Sequence, residues 1–180
     1  MDHDYNVVAV AALALTDEVR LAVEQAAGRR GGTAAALTGL EALGDECPIE
    51  ELAAGLRLSH SRTVRIVDAL VADGLARRRA DPADGRRVLV RLTTAGRRLS
   101  RRMLEARDQA LGHALAALNE EQRSALAEIA EVLLANMVRS VDDAFFRCRY
   151  CDPGACGHEE GRCPVTRKVR SMTDIGGGSE

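Results

Sequence analysis

Apolar positions recur at helical spacing along most of the chain. Between Tyr5 and Ala27 they fall at Val7, Val8, Ala11, Ala12, Leu15, Val19 and Val23, with acids opposite. That spacing predicts one helix, stopped by Gly28-Arg-Arg-Gly-Gly32. Thr33 to Leu43 predicts a second helix, with Leu37 and Leu40 on one face and Thr33 as N-cap. Gly44 and Cys47-Pro48 break the chain, and Ile49 to Gly55 predicts a short helix carrying Leu52 and Ala53. Leu56-Arg-Leu-Ser59 then turns it. Ser59 is placed to cap a helix through Asp73, which Gly74 closes.

The period shortens next. Leu75–Arg79 and Arg87–Leu92 have strand character, and Asp-Pro followed by Asp-Gly within Ala80–Gly85 is turn chemistry. Thr93 or Thr94 caps a long helix to about Leu118, and Asn119 caps another that runs towards Phe146. Leu126, Ile129, Val132, Leu133, Met137, Val138 and Val141 give this last helix an apolar stripe wide enough for more than one neighbour. After Arg147 the chain turns to Cys, Gly, Pro and charge. The expected units are an N-terminal helix over 1–32, a helix-turn-helix with two strands over 33–102, and long helices over 103–147. A cysteine-rich tail over 148–165 and a disordered end over 166–180 follow.

Composition narrows the function. Two Phe, two Tyr and no Trp provide few platforms for stacking unpaired bases. The formal net charge of −2 hides an asymmetry: Arg57 to Arg107 holds fourteen arginines against five acids. A basic middle in an acidic protein suits a phosphate-binding surface. The apolar run Val7–Leu15 is too short to span a bilayer and no basic leader precedes it, so a cytoplasmic protein without a membrane partner is expected. There is no phosphate loop, Gly-x-Ser-x-Gly or His-Glu-x-x-His, so no enzyme is expected.

In a helix-turn-helix, the helix begun by Ser59 would point its positive end at duplex DNA. Its first turns offer His60, Ser61, Arg62, Val64 and Arg65, and an arginine fork reads guanine in the major groove. The strand pair would form a wing with Asp84, Arg86 and Arg87 at its tip. An arginine there suits a narrow minor groove, with Asp84 as the carboxylate that orients the fork.

At these residues the chain resembles the MarR (multiple antibiotic resistance regulator) family. The matching stretches are Ile49 to Leu75, ending in Asp-Gly-Leu, and Arg79-Ala-Asp-Pro-Ala-Asp-Gly-Arg through Leu92-Thr-Thr-Ala-Gly96. The resemblance implies a mainly α-helical winged helix-turn-helix with a two- to three-stranded wing. It also implies a homodimer interleaved through the N- and C-terminal helices, bound to a palindromic operator on double-stranded DNA and usually repressing. His60 stands where the family commonly has proline, and no motif identifies a small-molecule effector.

The tail carries a separate signal. Cys148, Cys151, Cys156 and Cys163 are spaced C-x2-C-x4-C-x6-C among Gly and Pro. Four thiolates can close a tetrahedral zinc site, with His158 as an alternative to one sulfur. The same set could hold an iron–sulfur cluster, and Cys163-Pro164 resembles a ferredoxin run; two disulfides or reactive thiols are further readings. The expected protein is thus a DNA-binding regulator whose tail couples metal or redox state to DNA affinity. The rival is a protein-interaction module in which a zinc knuckle docks a partner and the winged helix is scaffold. Cys47, alone before a proline, reads as packing.

Overall fold

The Asp2 carboxylate accepts the Asp4 N–H at 3.0 Å and starts α1 (His3–Ala27), which Gly28 closes at φ 61°. The protein is described by a computed structural model over residues 2–29, 32–44 and 46–176. The remaining elements are α2 (Gly32–Ala42), β1 (Cys47–Pro48), α3 (Ile49–Leu56), α4 (His60–Ala72), β2 (Ala76–Ala80) and β3 (Val88–Leu92). They continue with α5 (Thr94–Ala114), α6 (Glu120–Met137), α7 (Val141–Cys148) and α8 (Pro164–Gly176). The three strands form one antiparallel sheet in the order β1-β3-β2. This is the expected winged helix-turn-helix.

The core is built around α2, where every residue from Ala34 to Leu40 is buried. Its alanines let α3, α4, α5 and the sheet approach closely, and Leu52, Val67, Leu70, Val90 and Met103 fill the space between. Thr33 lies inside α2 rather than capping it. Cys47-Pro48, expected as a break, is an edge strand with Cys47 opposite Val90 and Pro48 opposite Leu89. An edge is where proline costs no ladder bond.

The Asp-Gly-Leu and Leu-Thr-x-x-Gly motifs meet at one junction. Gly74 takes φ 69°, and Leu75 N–H closes on the Leu70 carbonyl at 2.8 Å to end α4. Thr93 N–H then donates to the Leu75 carbonyl (2.9 Å) and its hydroxyl to the Gly74 carbonyl (2.7 Å), while Gly96 N–H donates back to that hydroxyl. A Cβ on Gly96 would sit 2.0 Å from the Leu75 carbonyl oxygen. Only glycine fits.

Two C-terminal expectations need correction. The helix from Asn119 does not reach Phe146. Its capping box with Gln122 starts it as expected, but it stops at Met137. Val138 turns inward to a second small core, and the Ser140 hydroxyl accepts the Asp143 N–H at 3.1 Å to start α7. The segment 166–180, expected to be disordered, is helical to Gly176; 177–180 lie outside the described residues. Val165, Val169 and Met172 on α8 pack against Val138 and Ala144, which gives that helix an apolar side to bury. Among the described residues no helix is long and apolar enough to cross a membrane.

Candidate nucleic-acid interface and thiol cluster

Ser59 precedes α4 in extended conformation, and its hydroxyl accepts the Arg62 N–H at 3.4 Å. Its Oγ lies 3.3 Å from that of Ser61. The positive end of the helix is therefore presented to solvent beside exposed His60, Ser61, Arg62 and Arg65. Val64 differs from expectation. It is half-buried against the core, and its carbonyl accepts from Arg78 at 3.2 Å.

The turn before α4 is unusual. Arg57 takes φ 53° and is the one non-glycine residue with positive φ among the described residues. The left-handed region costs an ordinary residue about 1–2 kcal/mol. Its guanidinium pairs with Asp143 on α7 and lies 4.3 Å over the Phe146 ring, contacts that offset the cost.

At the wing, the Asp84 carboxylate accepts the Arg86 backbone N–H at 3.0 Å. It braces the turn's backbone and not an arginine fork, as had been expected. Arg87 reaches back to Glu51 on α3 at 3.3 Å, whereas Arg86 stays outward at the tip. Arg78 and Arg79 likewise hold Asp68 and Glu46, at 2.5 and 2.8 Å. Part of the basic middle is thus internal bracing. Arg62, Arg65, Arg77, Arg86 and Arg91 remain exposed without an ion-pair partner among the described residues. Register sets Arg77 directly opposite Arg91. Like charges so placed oppose each other, and a phosphate would relieve them. Sequence reading missed this pair, although the inward alternation of Val90 and Leu92 around Arg91 was its signal.

The tail folds back onto the helix-turn-helix. The Arg149 carbonyl accepts from the Thr38 hydroxyl at 2.5 Å, and the Tyr150 carbonyl from Arg107. Phe145 packs so closely on α3 that a Cβ on Gly55 would lie 3.2 Å from its own. Gly157 and Gly161, both at positive φ, then reverse the chain, and Arg162 and Cys163 N–H groups both donate to the Gly157 carbonyl. This delivers Cys163 to the start of α8.

Cys148, Cys151, Cys156 and Cys163 all border one cavity of about 630 Å³ between α2–α3 and the tail. The Cys151 thiol lies 3.7 Å from the Asp152 carbonyl oxygen. Burial pushes Cys148 up to about 11; burial together with the neighbouring thiols pushes Cys156 up to about 12. Cys151 is raised as well, chiefly by burial. At Cys163 burial acts upward too, but hydrogen bonds from Thr166 and Cys156 bring the thiol below its ordinary value. All five cysteines are free thiols, and among the described residues no three or more His, Cys, Asp or Glu are grouped so that they could hold a metal ion. His158 is exposed, its Nδ1 2.6 Å from the Thr166 hydroxyl. Cys47 belongs to the main core, its thiol pushed up to about 12 by burial and then by the Glu51 charge.

Residues 29–87, from the end of α1 through the wing turn, match the MarR family model. Over these residues the chain resembles the MarR family. Members of that family are transcriptional regulators and not enzymes. A MarR family transcriptional regulator from Streptomyces coelicolor, solved in complex with DNA, is 25% identical, with a TM-score of 0.58 over 76% of this chain and 86% of that one. A probable transcriptional regulator from Pseudomonas aeruginosa is 27% identical, with a TM-score of 0.55 over 73% and 97%. A Mycobacterium tuberculosis protein at 23% identity shares the fold, with a TM-score of 0.64 over 74% and 92%. No curated protein matches the sequence. The thiol tail lies outside the residues matched by the family model.

Proposed function

We propose that the protein is a MarR-type regulator: a cytoplasmic, dimeric, sequence-specific DNA-binding repressor that holds a zinc ion in its four tail thiols and couples that ion to DNA affinity. The observation that carries the DNA reading is the serine-capped end of α4. It presents Arg62 and Arg65 to solvent beside the outward wing residues Arg77, Arg86 and Arg91. Helix end and wing are the two parts a major and an adjacent minor groove would take. The Streptomyces coelicolor relative, solved with DNA, supports the same use of the fold.

Apolar residues left open on α1 and α6 support dimerisation. Tyr5 is 77% exposed and Val132 70%, with Val8, Leu13, Ile129 and Leu133 beside them. A second copy is the occupant that would cover both faces, and two-fold symmetry calls for a palindromic operator. A dimer seated on such a site occludes the duplex, which favours repression.

Zinc is the reading that the donor set supports: four thiols from one stretch of chain border one cavity, and four thiolates can close a tetrahedral site. Metal and acid-labile sulfide analysis of protein purified without oxygen checks this: one zinc per chain and no colour are expected, and iron with sulfide would replace the assignment.

The DNA reading is tested by selecting duplexes from a random-sequence pool and titrating the winner against salt. A palindrome and a steep fall in affinity with salt are expected, because neutralised phosphates release counterions. No enrichment and no salt dependence would leave the winged helix as a scaffold for a protein partner.

A further inference from the structure

α7 is seated on the helix-turn-helix by Phe145, which packs on Gly55, and by the Thr38 hydroxyl, which donates to the Arg149 carbonyl at 2.5 Å. Asp143 adds a contact that uses both of its carboxylate oxygens. Oδ1 takes the Arg57 guanidinium, and Oδ2 accepts the Arg139 backbone N–H at 3.0 Å. One carboxylate thus sets the turn between α6 and α7 beside the turn that leads into α4. Arg57 lies two residues before Ser59, whose hydroxyl caps α4. The seating also gathers positive charge. The Arg149 and Arg57 guanidiniums lie 4.0 and 4.3 Å from the centre of the Phe146 ring, and that of Arg147 lies at 5.8 Å. Arg57 and the segment 139–149 together carry four arginines and two acids, and one of those acids, Asp143, is already taken by Arg57. Arg139 is exposed and, like Arg147 and Arg149, has no ion-pair partner among the described residues. Like charges gathered so closely repel one another, and a polyanion alongside would relieve them.

We propose that the turn between α6 and α7 is a third DNA contact, in which Arg139 meets a backbone phosphate at the edge of the groove that α4 enters, within the positive field of Arg57, Arg147 and Arg149. The inference rests on the DNA reading above and needs no metal. It extends the surface from the helix end and the wing to a flank built by residues 139–149, outside the residues 29–87 that match the family model. A phosphate is the fitting partner because it carries its charge on the outside of the duplex, and a guanidinium meets it with two parallel donors. Such a contact adds grip and register and carries no sequence preference.

The test uses full-length protein as purified, a duplex selected by the wild type and a random duplex of the same length. Arg139→Ala removes only a side chain; the N–H that Asp143 accepts remains, so α7 keeps its seat. The variant should bind both duplexes more weakly to the same degree, with the slope of log affinity against log salt reduced by about one. Arg139→Lys should restore most of that slope, and the urea midpoint of Arg139→Ala should not move. Ethylation of single phosphates locates the contact: the wild type should show an interfering phosphate beside those of α4, and Arg139→Ala should not. A wild-type salt slope and ethylation pattern in Arg139→Ala would overturn the contact while leaving the DNA reading intact. Weaker binding with a lower urea midpoint would make Arg139 a structural residue and overturn the contact too. A wild type that binds neither duplex in a salt-dependent way would sink both.

Discussion

The Arg57 guanidinium is bonded to the Asp143 carboxylate, so the turn of the helix-turn-helix and the helix that ends in the first tail thiol form one packed unit. The pair is half solvent-exposed on the arginine side. Its importance is positional, since surface pairs contribute little stability by themselves.

The outward arginines should separate by role. Arg65→Ala is expected to cost about 1–3 kcal/mol on the selected duplex and much less on random DNA, as for a base-reading residue. Arg86→Ala and Arg91→Ala should weaken both alike and lower the salt slope by about one each. Fluorescence anisotropy across a salt series checks this. A salt slope equal to the wild type's would remove those arginines from the phosphate contacts.

Two glycines in α5 should respond oppositely to alanine. Gly96→Ala drives a methyl into the Leu75 carbonyl and should cost at least about 2–3 kcal/mol, because backbone has nowhere to go. Gly112 meets nothing within 4 Å, so Gly112→Ala should stabilise by about 0.5–1 kcal/mol through helix propensity. Urea unfolding measures both, and a neutral Gly96→Ala would refute the junction.

Much of this was legible before the structure. Ser59, Thr93 and Asn119 announce helix starts because a short polar side chain has one local use there. The motif pair Asp-Gly-Leu and Leu-Thr-x-x-Gly was readable as a pattern, though its cause, a glycine pressed against a carbonyl, needed coordinates. The break after Met137 was missed. An apolar stripe continues through Val138 and Val141, and Ser140-x-x-Asp143 is a quiet signal beside it. The same miss hid the tail's position, because a helix running on to Phe146 would have carried the thiols away from α3. Arg57 gave no sign of its conformation, since its partner lies far along the chain. The tip residue Asp84 was found, but whether it holds a side chain or the backbone is decided by turn geometry that residue type does not encode.

Cys47 should be inert. Its thiol is buried and pushed up to about 12, so almost none of it is thiolate at pH 8. Peptide mapping after brief iodoacetamide treatment should find it unmodified in native protein and alkylated in denaturant. Rapid native labelling would contradict its place in the core.

Val132→Glu on the open face of α6 should leave the fold intact and yield a monomer by light scattering. With one helix-turn-helix in place of two, affinity for the palindrome should fall at least about a hundredfold, since linked sites gain about 10²–10⁴ in avidity. A Val132→Glu dimer would move the interface elsewhere.

Because α6 stops at Met137 and the chain turns back on its own lobe, each subunit closes its thiol site with its own residues. The two sites of a dimer would then fill independently. Midway through a metal titration of a dimer of this kind, many molecules would carry one filled site and one empty one. A metal-responsive regulator built in that way would answer as a dial and not as a trigger, its output graded to metal supply.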